Sequence, residues 1–201
     1  PAMAAEHLPE LLEHQATGRI AEIYDEIRRF SGVPYVSSLQ RYLATLPGVL
    51  EWAWDAVRPA VASGSIPETG WRLARDVRIA PIGAADIALT ADDRAAIRNI
   101  AANFERVSPV NLMTGACLRL LLTGTAPGGG APSGAWTPPT MLPPMPGNRD
   151  AADMPSAERA TMMRFATEVD GQPFIPALYR QLAHWSDFLA WLADQIGRAH
   201  V

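Results

Sequence analysis

The chain contains no lysine and only one cysteine, Cys117, among its 201 residues. All 17 basic residues are therefore arginines, which excludes a Schiff-base lysine and the lysine of a nucleotide-binding P-loop. A single cysteine excludes a disulfide within the chain and a zinc site built from several cysteines.

Long apolar runs and basic clusters are also missing. No stretch of eighteen continuous apolar residues appears, so no membrane span is predicted, and no charged-then-apolar leader supports export. The net charge is −4 without a basic run, which argues against a nucleic-acid partner. With 48% apolar and 19% charged residues, the sequence predicts a folded protein, and the lone cysteine favours the reducing cytoplasm.

What is present is helical periodicity. The spacing of Ile20, Ile23, Tyr24 and Ile27 predicts an amphipathic helix that ends at Gly32. A capping box of Thr90 and Asp93 predicts another helix start. No period-2 strand pattern is found, so the predicted fold class is all-α. Further helices are predicted to begin at prolines, namely Pro34, Pro47, Pro67 and the Ser108-Pro109 pair, with Ser108 as N-cap.

An internal repeat organises the chain. Residues Gly32–Ala44 return 139 positions later as Gly171–Ala183, and Trp52 returns as Trp191 without a gap. The repeat predicts two related helical units, a pseudo-dimer whose second unit is incomplete.

A change of composition separates the two copies. Residues 124–155 hold six glycines and eight prolines, which predicts a partly extended, mobile linker. The predicted organisation is a first helical repeat over 1–123, the linker over 124–155 and a partial second repeat over 156–194. We hypothesise that residues 195–201 are a non-native tail, because they match a translation of the start of a common short-read sequencing adapter; the alternative is a natural short C-terminus.

The repeat motifs resemble those of the DehI-type group I 2-haloacid dehalogenases. The resemblance covers most of the chain outside the linker and is carried mainly by helix-packing positions. It is found at Ala16–Ile20, Tyr24–Arg28, Gly32–Tyr35, Leu43–Gly48, Trp52–Trp54 and Leu182–Trp185.

The resemblance implies an all-α fold of two related halves with a pocket between them for a short 2-halocarboxylate. Family enzymes use an Asp to activate a water molecule, which displaces halide from the α-carbon and so accepts both enantiomers. They need no metal or organic cofactor. The chain would be a truncated, divergent member of this family.

Carrying the family's residues over places Leu178 at the position of the catalytic Asp, and leucine cannot accept a proton. Asp187, in a Ser-Asp-Phe tripeptide, is the alternative base. The family's pocket Asn corresponds to Ser108, and its pocket aromatics correspond to Tyr35 and Ser38. The predicted substrate-binding residues are therefore Tyr35, Ser38 and Ser108.

Asn111 joins this set because it falls in the first turn of the helix predicted to follow Pro109. There its side chain would join exposed backbone N–H groups in binding a carboxylate; the alternative is a solvent-facing asparagine.

Several residues allow both a structural and a functional interpretation. The equivalent Arg41 and Arg180 either lie on the surface or bind a carboxylate. His184 is interpreted as a packed histidine and Cys117 as a small buried apolar residue. Tryptophans at core spacing are interpreted as packing anchors; they are Trp52, Trp54 and Trp191.

Three functions remain open from the sequence. The first is hydrolysis of a 2-halocarboxylic acid without a cofactor, and the second is a non-catalytic helical module that binds a small carboxylate-type ligand or another subunit, including a second copy. The third is an AhpD or carboxymuconolactone-decarboxylase-like enzyme, although a lone Cys117 argues against its C-x-x-C peroxidase chemistry.

Overall fold

A computed structural model describes residues 9–78, 87–125, 136–169 and 171–198 of the chain. Helices dominate this part, which confirms the all-α prediction. They are α1 Gly18–Ser31, α2 Ser38–Leu43, α3 Val49–Ala62, α4 Ser65–Asp76, α5 Ala91–Leu122, α6 Ser156–Met163, α7 Ala177–Leu182 and α8 Ser186–Arg198. Single 3₁₀ turns lie at Glu13–Gln15 and Ala151–Asp153. None of the described helices is long and apolar enough to cross a membrane.

Internal contacts divide the chain into two compact units. Unit 1 contains residues 1–8, 80–101 and 145–201, and unit 2 contains residues 9–79 and 102–144. Helix α5 therefore contributes its first eleven residues to unit 1 and the rest to unit 2. The organisation over 1–123, 124–155 and 156–194 stays a prediction, and residues 136–144 belong to the same compact unit as the first helices.

The core of unit 2 forms where the amphipathic faces of α1 and α3 meet. Ile23, Tyr24 and Ile27 of α1 are buried there, as predicted, together with Leu50 and Trp54 of α3. Helix α1 ends at Gly32, whose φ of 63° is left-handed and whose N–H donates to the Arg28 carbonyl at 2.8 Å. The predicted stop at Gly32 is confirmed.

The prediction that proline starts helices is wrong at two positions. Pro34 lies four residues before α2, in a bend that follows α1, and the Val36 N–H donates to Glu13 Oε1 at 2.8 Å. Pro109 lies inside α5, so Ser108 is not an N-cap. Proline costs one hydrogen bond in a helix, but the buried Val107 and Val110 on either side hold α5 continuous by packing.

The predicted linker contains an extended segment, residues 136–144, that packs on unit 2. Arg106 donates from Nη1 to the carbonyls of Gly32 at 2.9 Å and Thr140 at 2.7 Å. A Cβ on Gly32 would approach the Pro139 carbonyl to 2.8 Å, and a Cβ on Gly64 would overlap the Trp136 ring. Close approach of the segment therefore requires glycine at both positions.

Unit 1 contains a hairpin that the sequence pattern did not predict. Strands β1 Thr167–Val169 and β2 Gln172–Phe174 pair antiparallel, with Thr167 opposite Phe174. Three residues per strand are too few to show a period-2 pattern. The capping box is confirmed, since the Asp93 N–H donates to Thr90 Oγ1 at 3.1 Å and the Thr90 N–H donates to Asp93 Oδ2 at 2.9 Å. The start of α5 also receives a hydrogen bond from Trp185, whose Nε1 donates to Asp93 Oδ1 at 2.8 Å.

The two repeated segments form the same local structure. Helices α2 and α7 each have six residues and begin 139 positions apart. The Arg41 carbonyl accepts from the Leu11 N–H at 3.0 Å, and the Arg180 carbonyl accepts from the Arg149 N–H at 3.1 Å. These matched contacts agree with a duplication, which itself stays a prediction. Helix α8 runs to Arg198, through the first residues of the predicted tail.

Candidate functional site

A cavity of about 40 Å³ lies inside unit 2, between α1, α2, α3 and α5. Such a volume exceeds the roughly 10–15 Å³ that one water molecule needs. Most of its wall is apolar, and the polar members are Ser31, Gln40, Asn111 and Thr114. The apolar members are Ile27, Leu39, Leu43, Leu50, Ala53, Trp54, Val57, Val61, Val107, Val110 and Leu118.

A pair of side-chain amides forms the polar edge of this cavity. Gln40 on α2 is only 9% exposed, and its Nε2 donates to Asn111 Oδ1 on α5 at 2.8 Å. The Ser37 hydroxyl donates to Gln40 Oε1 and so completes a chain of three polar groups. Burial of the Gln40 amide is offset because both ends have partners.

The indole of Trp54 forms part of the apolar wall and is fixed from behind by a carboxylate. Its Nε1 donates to Glu26 Oε2 at 2.7 Å, and Arg58 binds the same carboxylate with Nε and Nη2 at 2.6–3.0 Å. The Arg58 hydrogen bonds are the main cause that lowers the pKa of Glu26 to about 2, with the Trp54 hydrogen bond adding to them against the opposing effect of burial.

This clamp predicts an acid-dependent loss of stability. The folded-state pKa of Glu26 lies below its ordinary value of 4.5, so its contribution is complete above that pH and is lost as pH falls toward 2. We expect Glu26→Gln to lower the unfolding free energy by about 1–3 kcal/mol at neutral pH, with the difference from wild type shrinking toward pH 2. Urea unfolding between pH 2 and 7 measures it. Glu22→Gln, which affects an exposed ion pair on the same helix, is the control and should change little. If the difference in unfolding free energy between wild type and Glu26→Gln does not change with pH, the lowered pKa assigned to Glu26 is contradicted.

Tyr35 and Ser38, both predicted to bind substrate, do not line this cavity. The Tyr35 ring packs 5.8 Å from the Phe104 ring, and its buried hydroxyl has no partner among the described residues. Burial is the main cause that raises the pKa of Tyr35. Ser38 Oγ accepts from Arg41 Nη2 at 3.4 Å, while Arg41 pairs with Glu10 at 2.7 Å. The guanidinium that was a candidate carboxylate partner is thus already paired.

Of the two predicted residues on α5, one lines the cavity and the other does not. Ser108 is exposed and lies outside the cavity wall. Asn111 lines the cavity, but it lies in the middle of α5 and not at a helix start. The prediction that it lies beside exposed backbone N–H groups is therefore wrong. Gln40, Ser31 and Thr114 were not predicted. The one sequence signal for Gln40 is that a polar residue lies between the apolar Leu39 and Leu43. Helix α2 is too short for its apolar positions to form a regular face, so the pattern did not show on which side Gln40 lies.

Leu178 and Asp187 lie in unit 1. Leu178 is half-buried in α7, and Asp187 is exposed in the first turn of α8. Asp187 lines a second cavity of about 200 Å³ together with Ser186, Thr161 and Glu158. Glu158 is paired with Arg149 at 2.9 Å, and there is no Arg or His among the described residues that line the cavity.

The remaining candidates in unit 1 and α5 have ordinary structural surroundings. His184 is exposed rather than packed, with Nε2 2.9 Å from the Gly147 carbonyl. Cys117 is half-buried against the core of unit 2. Over the described ranges, no group of three or more His, Cys, Asp and Glu side chains could hold a metal ion.

Comparison with known proteins gives a match in structure but none in sequence. No family model and no curated protein sequence matches the chain. A D-2-haloacid dehalogenase mutant matches with a TM-score of 0.67 and 21% identity, over 98% of this chain and 73% of that one. A D-2-haloacid dehalogenase mutant in complex with D-2-CPA matches at 0.67 and 20%, over 97% and 72%. The enzyme in complex with L-LA matches at 0.67 and 21%, over 100% and 77%. The chain therefore has a 2-haloacid dehalogenase-like fold.

Proposed function

We propose that this chain binds a small molecule in the cavity of unit 2 and does not hydrolyse it. The observation that carries the proposal is the composition of the cavity wall. It combines apolar side chains with a fixed amide pair, which is the usual make-up of a small-ligand site.

The same wall supplies nothing that could activate water. Among the described residues that line it there is no Asp, Glu or His, the side chains that most often act as general base. The family resemblance points the same way, because Leu178 stands where the related enzymes carry their water-activating Asp. A positioned base typically contributes about 10²–10⁴ in rate, so hydrolysis without one is slow.

The proposal predicts that filling the cavity abolishes binding. Ala53 is buried on the cavity wall, and Ala53→Val adds two methyl groups to a space of about 40 Å³. We expect the variant to lose ligand-induced stabilisation, whereas wild type at ten times its Kd gains about 1.4 kcal/mol. Thermal unfolding with 2-chloropropionate and with 2-chloropropionamide measures this. Ala56→Val, the same change on an exposed position of α3, is the matched control. Equal stabilisation of Ala53→Val and wild type would remove the cavity as the ligand site.

A second candidate is dehalogenation with Asp187 as base, favoured by the cavity of about 200 Å³ that Asp187 lines. The charge of the cavity opposes it, because a 2-halocarboxylate would meet the negative charge of Asp187 with no Arg or His among the described lining residues. We expect halide release from 2-chloropropionate to stay at the level of the blank, and Asp187→Asn to leave it unchanged. Halide is measured over hours with an ion-selective electrode. Release that Asp187→Asn removes would establish the second candidate instead.

A further inference from the structure

The hydrogen bonds at the polar edge of the cavity have a direction. Ser37 gives its proton to Gln40 Oε1, and Gln40 Nε2 gives a proton to Asn111 Oδ1. Both amide oxygens are thus used as acceptors within the protein. The Asn111 Nδ2 group donates to no protein atom in the part of the chain that the structure describes, so it is left to donate to a ligand.

The hydroxyl of Ser31, on the same wall, offers a hydrogen-bond acceptor where Asn111 offers a donor. Ser31 Oγ donates its proton to the Ile27 carbonyl at 2.6 Å. The lone pairs of that oxygen are left to accept a hydrogen bond. A ligand that carries both a carbonyl oxygen and an N–H would therefore find an Asn111 donor and a Ser31 acceptor in one cavity.

No charge complements an anion in this cavity. Its described lining residues include no Arg or His, and the chain has no lysine. The arginines of the surrounding α1, α2 and α3 are engaged with carboxylates: Arg19 with Asp55, Arg28 with Glu13, Arg29 and Arg58 with Glu26, and Arg41 with Glu10. On the part of α5 in unit 2, Arg106 donates to the carbonyls of Gly32 and Thr140, and Arg119 is exposed and does not line the cavity. Burying a carboxylate without a partner costs far more than burying a neutral polar group that is hydrogen-bonded.

We infer that the ligand of this cavity is an uncharged small carbonyl compound, a small primary amide being the best match, and not the free carboxylate. The carbonyl oxygen accepts from Asn111 Nδ2, the amide N–H donates to Ser31 Oγ, and the apolar remainder lies against Trp54 and Val57. This inference rests on the proposed function and gives its ligand a chemical class that differs from the carboxylate expected from the sequence.

The test compares two ligands of nearly equal shape, 2-chloropropionamide and 2-chloropropionate. Titration of the full chain at pH 7, followed by NMR shifts and by thermal unfolding, should give a Kd at least tenfold lower for the amide. A carboxylate that binds as tightly as the amide, with Ala53→Val abolishing both, would overturn this inference and leave the proposed function standing. If neither ligand binds, the proposed function falls together with it.

A variant of Asn111 tests the hydrogen-bond direction itself. Asn111→Asp keeps an acceptor for Gln40 Nε2 but removes the Nδ2 donor, so the amide should bind at least tenfold more weakly. Asn148→Asp makes the same change at an exposed position of unit 1 and should bind like wild type. Unchanged amide affinity in a folded Asn111→Asp protein would contradict the assigned donor. The comparison of the two ligands on wild type needs no variant and decides the charge preference in any case.

Discussion

Trp54→Ala is expected to destabilise the chain by about 3–5 kcal/mol, the usual cost of deleting a buried aromatic side chain. Trp54 is 6% exposed, stacks with Phe30 at a centroid distance of 6.4 Å and forms part of the cavity wall. Its removal also leaves the half-buried Glu26 with one hydrogen bond fewer. In thermal unfolding the expected loss is roughly 6–20 °C.

Trp52 on the same helix provides a matched control. It is 47% exposed, so Trp52→Ala should cost no more than about 1 kcal/mol. Trp54→Phe keeps the ring packing and removes only the N–H, and its loss should fall between the other two. Equal destabilisation by Trp52→Ala and Trp54→Ala would contradict the burial described for α3.

The second large effect belongs to the hydrolytic alternative and concerns Leu178, the position that the resemblance to the DehI-type dehalogenases assigns to a water-activating Asp. Leu178 lines neither of the two cavities, so this test is independent of the ligand site in unit 2. If the assignment is right, Leu178→Asp raises halide release from 2-chloropropionate about 10²–10⁴-fold above the level of Leu178→Asn. The side chain at this position is half-buried, and partial burial raises a carboxyl pKa toward the range in which it works as a base.

Leu178→Asn is the matched control, because it has the shape of the Asp variant without its basicity and the same cost of placing a polar group in α7. Both enantiomers of the substrate are offered, since direct attack by water does not select between them. If both variants release halide at the same rate, the base position assigned from the resemblance is wrong.

Local signals in the sequence predicted helix ends correctly where the type of residue at the end is enough to start or stop the helix. Gly32 ends α1 because it adopts a left-handed conformation beneath Pro139, and Thr90 and Asp93 cap α5 through their own side chains. These features depend on residues that are close in sequence, so a single chain displays them fully.

Features that depend on distant contacts were not predictable in the same way. Pro109 reads as a helix start, yet α5 passes through it because Val107 and Val110 are buried by other helices. Trp52 and Trp54 look alike in the sequence, and only the packing of α3 shows which of them is buried. Local propensity is a weak signal where tertiary contacts decide.

The cavity, too, depends on contacts between residues that are distant in the sequence. Asn111 was selected for a helix turn that does not exist, and its actual partner Gln40 lies 71 residues away. The direction of the hydrogen bonds, from Ser37 through Gln40 to Asn111, requires three residues that no sequence motif connects. The positions of the donors and acceptors in the cavity could therefore not be predicted from the sequence, whereas the all-α fold around it could.

The extended segment of residues 136–144 has a consequence for the order of folding. The hydrogen bond from the Leu142 N–H to the Gly32 carbonyl, at 2.9 Å, closes a loop of more than one hundred residues. Closing such a loop is entropically costly, so helices α1 and α3 are expected to pair before this segment docks. Amide hydrogen exchange should then find the Leu142 N–H opening well below the free energy of global unfolding, in a cooperative unit separate from the helices it covers.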